Sequence, residues 1–302
     1  MKTPILLLAF NRPELTLKVF DKIKLIKPKF LFVSIDGPRI GNQFDLAKIE
    51  STLSIFEQID WECKLVVNRF ETNLGCGKAV YQGIDWFFSH VELGIILEDD
   101  TIPSLSFFEF SNILLDKYLF NEEIMAINGS NPLGNCNHSQ SYFFSKYNFC
   151  WGWATWRRAW SRYRFDLSYM STYEKYYILI RRFGIDYISI RSWFKHVNLT
   201  INNKIDTWDY QWMFICFKYR AKIITPSINM VSNVGNDIDA THRVTKDVLY
   251  LNLRPNEITF PLIHPECVTI NHNLDNKIRK VRYGNIFSIL LSNKIKSYKL
   301  FK

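Results

Sequence analysis

The chain has 302 residues, enough for one large core or for a domain with an appendage, and 47% of them are hydrophobic, as in a globular protein. The formal charge of +9 is uneven: residues 277–302 hold eight Lys or Arg and no Asp or Glu, while the body before them is nearly neutral. No basic residues are interleaved with aromatics in a recognisable module, which speaks against nucleic acid, and six cysteines without C-x-x-C spacing read as reduced thiols, not a secreted framework.

The first apolar run, Pro4 to Phe10, is too short for a signal peptide with its cleavage site or for a membrane span, so the expected location is cytoplasmic. That run reads as a strand. Pro13 then opens a helix that carries Val19, Phe20, Ile23 and Ile26 on one face. Phe30 to Ile35 is a second strand, stopped by Asp36-Gly37-Pro38, and Leu46, Ile49, Leu53 and Phe56 follow at helical spacing. Cys63 to Val67 is a third strand, and the loop Asn73 to Gly77 leads into a helix through Trp86 to Phe88. Gly94 to Leu97 is the fourth. Ser104 to Leu119 reads as a helix and Ile124 to Ile127 as a fifth strand.

This alternation predicts an α/β fold, a mainly parallel sheet with helices on both faces, in which ligands bind at the carboxyl ends of the strands. Asn11-Arg12, Asp36, Asn73 to Lys78 and Glu98-Asp99-Asp100 all fall at those ends, so four distant loops should meet in one crevice. Three acids closing a buried strand repel one another and lose hydration unless a cation sits there, and a divalent metal carrying a diphosphate is the candidate. The competing reading makes Asp99, Asp100 or Thr101 the cap of a helix opened by Pro103. Gly75-x-Gly77 is followed by Val80 where a dinucleotide fingerprint needs glycine, and Gly77-Lys78 lacks the upstream glycine of a P-loop.

The second half, 131–265, loses the alternation, and 266–302 reads as a basic tail beyond a domain of 1–265. Trp153, Trp156 and Trp160 stand at helical spacing and read as a core stripe. Trp151 precedes Gly152, which can admit a ligand close to the backbone. Trp208 and Trp212 anchor a helix that would hold Asp206 or Asp209 at the crevice edge, as a base or as a cap. The tail, with Ile286 to Leu291 in it, is either a helix packed on the domain or a segment lying on an anionic membrane at the inner face.

The series Pro4 to Pro13, Ile35-Asp36-Gly37, Asn73-Leu74-Gly75, Glu98-Asp99-Asp100, Trp151-Gly152-Trp153 and Trp208-Asp209 resembles the nucleotide-diphospho-sugar glycosyltransferases of GT-A fold. Within them it is similar to bacterial family 2 transferases and the N-acetylglucosaminyltransferase I group, over roughly residues 1–245. The resemblance implies that Asn11 and Arg12 border the nucleotide, Asp36 bonds a uracil edge, and Asn73, Gly75 and Lys78 line base and ribose or reach the phosphates. It implies Mn2+ or Mg2+ on Asp100, with His242 on metal or diphosphate, Asp99 on ribose or metal and Glu98 on a sugar hydroxyl. Asp209 would be the base that activates an acceptor hydroxyl, with Asp206, Asp237 and Asp239 as alternatives. The partners so implied are a nucleotide-sugar donor and a glycan or lipid-linked acceptor of a bacterial surface polymer. The rivals are a sugar-phosphate nucleotidyltransferase, whose glycine-rich loop after the first strand is missing here, and a non-catalytic carbohydrate- or membrane-binding protein.

Overall fold

A computed structural model describes residues 1–235 and 253–283. Its first part runs β1 (Ile5–Ala9), α1 (Pro13–Ile26), β2 (Phe30–Ile35), α2 (Gln43–Ser54), β3 (Lys64–Arg69), α3 (Gly75–His90) and β4 (Leu93–Glu98). There follow β5 (Thr101–Pro103), α4 (Leu105–Lys117), β6 (Ile124–Asn128), β7 (Tyr142–Ser145), β8 (Trp153–Trp156) and α5 (Arg157–Trp160). The last elements are α6 (Thr172–Phe183), α7 (Tyr187–Ile201), α8 (Asp209–Lys218), β9 (Lys222–Pro226), β10 (Val231–Asn233) and α9 (His272–Tyr283).

The expected α/β architecture forms. Eight strands make one sheet in the order β3-β2-β1-β4-β8-β6-β9-β7, and β1 is paired in parallel with both β2 and β4. Every residue of β1 is buried, because helices cover both faces; such a strand has no polar side to show. Period two sorts its side chains. Leu6 and Leu8 join Phe32, Ile96 and Trp153 in one core, while Ile5 and Leu7 join Val33, Leu97 and Trp156 in the other. The second half is not a separate layer: β8 enters antiparallel between β4 and β6 and completes the same sheet.

Two local expectations are corrected. Trp153 and Trp156 lie on a strand, not on a helical stripe; an odd separation in a strand sends them to opposite faces, and each fills a different core. Pro103 does not open a helix. Thr101–Pro103 is a short strand paired antiparallel with β10, a place that tolerates a residue without N–H, and Ser104 is the N-cap of α4. Asp99 and Asp100 are therefore not that helix's cap. The Trp208–Trp212 helix is present as α8.

Of the basic stretch 277–302, residues 277–283 belong to α9, which packs on the body; 284–302 lie outside the described residues. Leu274 and Ile278 are buried, Ser145 Oγ donates to Asp275 at 2.6 Å, and Arg279 pairs with Asp186. No helix among the described residues is long and apolar enough to cross a membrane.

Gly94, at the start of β4, lies where sheet and α3 approach closely: a Cβ there would lie 2.3 Å from the Phe87 ring and 3.0 Å from the Pro4 carbonyl oxygen. Gly94→Ala should lower stability by about 1–3 kcal/mol, as overpacking does, read as a lower urea midpoint with unchanged slope.

Candidate functional site

Because β2, β1 and β4 are adjacent and parallel, their carboxyl ends open into one crevice. Its volume is about 580 Å³, and its walls include Phe10, Asn11, Arg12, Asp36, Arg39, Asn73, Gly75, Cys76, Glu98, Asp99 and Asp206. The structure thus brings together most of the residues expected there. A second crevice of about 570 Å³, lined by Thr3, Ile26, Phe108 and Asn112 among others, lies at the amino ends of the strands and holds none of them.

At the end of β4 the three acids meet a guanidinium. Arg12 Nη2 bonds Asp99, Arg12 Nε donates to Asp99 Oδ2 at 3.2 Å, and Nη2 reaches Asp100 Oδ2 at 3.1 Å. Burial works against the Arg12 charge, but the charges of Asp99 and Asp100 and their hydrogen bonds outweigh it, and its pKa rises. Burial also pushes Asp99 up to about 6, against the pull of Arg12 and with the repulsion of Asp100 added. Positive charge for the acids, expected from a metal, is supplied at least in part by the chain itself.

Glu98 is half-buried, and among the described residues no hydrogen bond reaches its carboxylate; burial, then the charges of Asp100 and Asp99, hold it well above the ordinary carboxylate range. Asp100 is also fixed from the β10 side. Asn233 Nδ2 donates to Asp100 Oδ1 at 3.3 Å, Val234 N donates to its carbonyl at 2.9 Å, and a Cβ on Gly235 would fall 1.9 Å from Asp100 Oδ2. Sequence reading missed Asn233 and Gly235, whose role depends on a strand pairing across about 130 residues.

Asp36 organises the opposite wall. Its Oδ1 accepts from Gly37 N at 2.8 Å and Leu74 N at 2.9 Å, and its Oδ2 from Asn73 Nδ2 at 2.8 Å and Gly75 N at 3.2 Å. Four donors use the capacity of one carboxylate, so a uracil contact by Asp36 requires one of them to be given up. Burial still raises its pKa against those hydrogen bonds. Gly75, at φ +82, takes a backbone conformation that other residues adopt only with strain; a Cβ there would also meet Asp206 Oδ2 at 2.5 Å. Asp206 itself accepts from Gly77 N at 3.0 Å. Two carboxylates therefore occupy the first turn of α3, a position otherwise open to a phosphate.

Asn11 faces Asp45, another residue the sequence did not disclose. Asn11 Nδ2 donates to Asp45 Oδ1 at 2.7 Å, and Arg39 Nε and Nη2 grip the same carboxylate at 2.7 Å each. Asp209, the first residue of α8, is half-buried and accepts from Thr207 Oγ1 and from Tyr210 N at 2.9 Å. Its charge reaches Cys76 in the crevice wall, whose thiol is pushed up by burial first and then by Glu98, Asp206, Asp209 and Asp100.

Asp100 and Asp209 are not among the residues that line the crevice wall, and three further expected residues are not in it either. Lys78 is exposed on the first turn of α3 and is not in the crevice wall. Trp151 is half-buried and its carbonyl accepts from Ser130 Oγ at 3.3 Å. Gly152, at φ +61, faces the core, where a Cβ would strike Val231 at 2.8 Å. His242, Asp237 and Asp239 lie outside the described residues.

No family model matches the chain, and no curated protein matches it. Among solved structures it has a distant likeness to HddC from Yersinia pseudotuberculosis, at 9% identity and TM-score 0.33, over 56% of this chain and 85% of that one. A second likeness is to apo UDP-glucose pyrophosphorylase, at 10% identity and TM-score 0.40, over 77% and 93%. A third is to UDP-glucose pyrophosphorylase complexed with UDP-glucose, at 9% and 0.37 over the same shares. Likeness this distant carries no argument about the site.

The Arg39 clasp holds the Asp45 carboxyl well below the ordinary range. A depressed folded-state pKa contributes stability that is present above the unfolded value, about 4, and is lost as pH falls below it. Asp45→Asn should flatten this acid limb: its stability should change less than the parent's between about pH 5 and 2, measured by urea unfolding at each pH.

Proposed function

We propose that the chain is a metal-dependent, inverting glycosyltransferase that moves a sugar from a nucleoside diphosphate sugar, a UDP-sugar first, to a hydroxyl acceptor of a bacterial surface glycan. The observation that carries this reading is the crevice at the carboxyl ends of β2, β1 and β4. An acid cluster balanced by Arg12 lies at one side, and the polar loop held by Asp36 and Asn73 lies at the other. The turn between β1 and α1 contains no glycine, which favours this reading over nucleotidyl transfer.

The donor set fits one kind of cation. Among the described residues no three His, Cys, Asp or Glu side chains form a cage. Asp100, with Glu98 near it, suits a cation such as Mg2+ or Mn2+ that keeps waters and borrows phosphate oxygens from its ligand. Bound there, such an ion supplies Lewis-acid stabilisation of the departing diphosphate. Arg12, already against Asp99 and Asp100, is placed to balance charge at the same end of the crevice. Asp209 takes the proton of the acceptor hydroxyl on its carboxylate while that oxygen attacks the anomeric carbon from the face opposite the diphosphate. His242 remains a proposed metal or diphosphate contact on the resemblance alone.

Incubating the protein with Mn2+, a panel of UDP-sugars and lipid-linked or oligosaccharide acceptors should yield a glycosylated product and UDP. Asp209→Asn should lower kcat by about 10²–10⁴ with donor affinity unchanged. If Asp206→Asn has that effect and Asp209→Asn does not, Asp206 is the base. Pyrophosphate release from UTP and a sugar 1-phosphate, with no transfer to any acceptor, would replace this reading with nucleotidyl transfer.

A further inference from the structure

Away from the crevice, the corner between α6 and α7 presents apolar and aromatic side chains to solvent. Tyr173 is 78% exposed, Tyr187 66%, and Ile185 fully, with Tyr177 and Ile180 about half exposed. On α6, Tyr173, Tyr177, Ile180 and Arg181 share one face, as their three- and four-residue spacings require. On α7, Tyr187, Arg191 and Lys195 recur every four residues, and the row is exposed.

The corner is built rigidly. α6 opens with a capping box of Ser171 and Glu174 and ends at Gly184, φ +62. Asp186 caps α7 by accepting from Ser189 N and Oγ, and Arg279 of α9 clamps the same carboxylate, with Nη2 donating at 2.7 Å. Ile185 is thus held outward between fixed neighbours, where no core contact repays its exposure.

Cations predominate on this face: Arg181, Arg191 and Lys195 are exposed, whereas Lys175 is buried, Arg182 turns inward to backbone carbonyls, and Glu174 is the one exposed acid of residues 169–204 without a cationic partner among the described residues. Residues 169–204 contain six Lys or Arg and two acids, and both acids are engaged, Glu174 in its capping box and Asp186 with Arg279. A second copy of the chain docked symmetrically would set Arg181, Arg191 and Lys195 against themselves. An anionic surface would satisfy them. Tyrosine rings suit the headgroup level, their apolar bodies inward and hydroxyls wet, and Arg181 already lies 5.5 Å from the Tyr177 ring centroid.

We propose that the α6–α7 corner docks the protein on an anionic lipid bilayer, with Ile185 and the flanking tyrosines entering the interface and Arg181, Arg191 and Lys195 at the headgroups. This holds whatever the crevice binds.

Flotation of the full chain with vesicles of phosphatidylcholine, with and without phosphatidylglycerol, reads the proposal directly. Binding should require phosphatidylglycerol and weaken with salt. Ile185→Ser with Tyr187→Ser should abolish it, and Arg191→Ala with Lys195→Ala should weaken it on the order of 25-fold, at unchanged melting temperature. Parent-like flotation of both variants would overturn the proposal. So would parent-like flotation of both combined with loss in a variant with Lys294, Lys296, Lys299 and Lys302 changed to Ala, which would assign the membrane contact to the tail. A parent that never floats but forms dimers broken by Ile185→Ser would make the corner a self-contact, and would equally overturn it.

Discussion

The charge balance at the carboxyl end of β4 is the constraint on which the rest of the site depends. Three consecutive acids there are balanced in part by Arg12, which comes off the end of the neighbouring strand and bonds Asp99 and Asp100. That meeting requires β1 beside β4 in parallel register, which in turn rests on two runs of apolar residues buried on both faces of the sheet. Removing the guanidinium would take an ion-pair partner from two buried carboxylates, a change usually costlier than an ion pair is worth. The fold and the site are therefore bound by the same pairing.

The crevice has a division of labour. Carboxylates that look alike in the sequence serve different ends: Asp36, Asp45 and Asp206 are bound to the protein's own N–H groups and shape the walls, whereas Glu98 receives none among the described residues. Asp36 and Asp206 occupy the first turn of α3, so in the proposed function negative charge on a ligand would go not to that turn but to Arg12 and the acids, where a cation would mediate. The exposed α6–α7 corner is a separate device on a different part of the molecule. In the proposed scheme it would bring the enzyme to a lipid-linked acceptor, which gives an aqueous donor site and an acceptor fixed at an interface a common location.

Much of this was legible in the sequence, for identifiable reasons. The strands β1, β2 and β4 announce themselves as continuous apolar runs, and their punctuation by Asn11-Arg12, Asp36 and Glu98 places those residues at one edge. Trp153 and Trp156 misled because a separation of three fits a helix face and a strand equally in length; only the neighbours β4 and β6 decide between them. Asp45 carried no signal, since its partners Asn11 and Arg39 come together only when α2 packs beside β1. Asn233 and Gly235 depend on the pairing of β5 with β10, and the saturation of Asp36 depends on the path of the Asn73–Gly75 loop. Such facts lie in three-dimensional proximity, which spacing along the chain does not encode.

In the proposed function this crevice binds a nucleoside diphosphate through a metal held at Asp100. Calorimetric titration with UDP, GDP, CMP and ATP, each with Mn2+ and with EDTA, on the parent and on Asp100→Ala, tests it most directly. A nucleoside diphosphate, UDP foremost, should bind with Mn2+, lose that binding in EDTA, and fail to bind Asp100→Ala. Absence of metal-dependent binding for every nucleotide, or equal binding by Asp100→Ala, would contradict it.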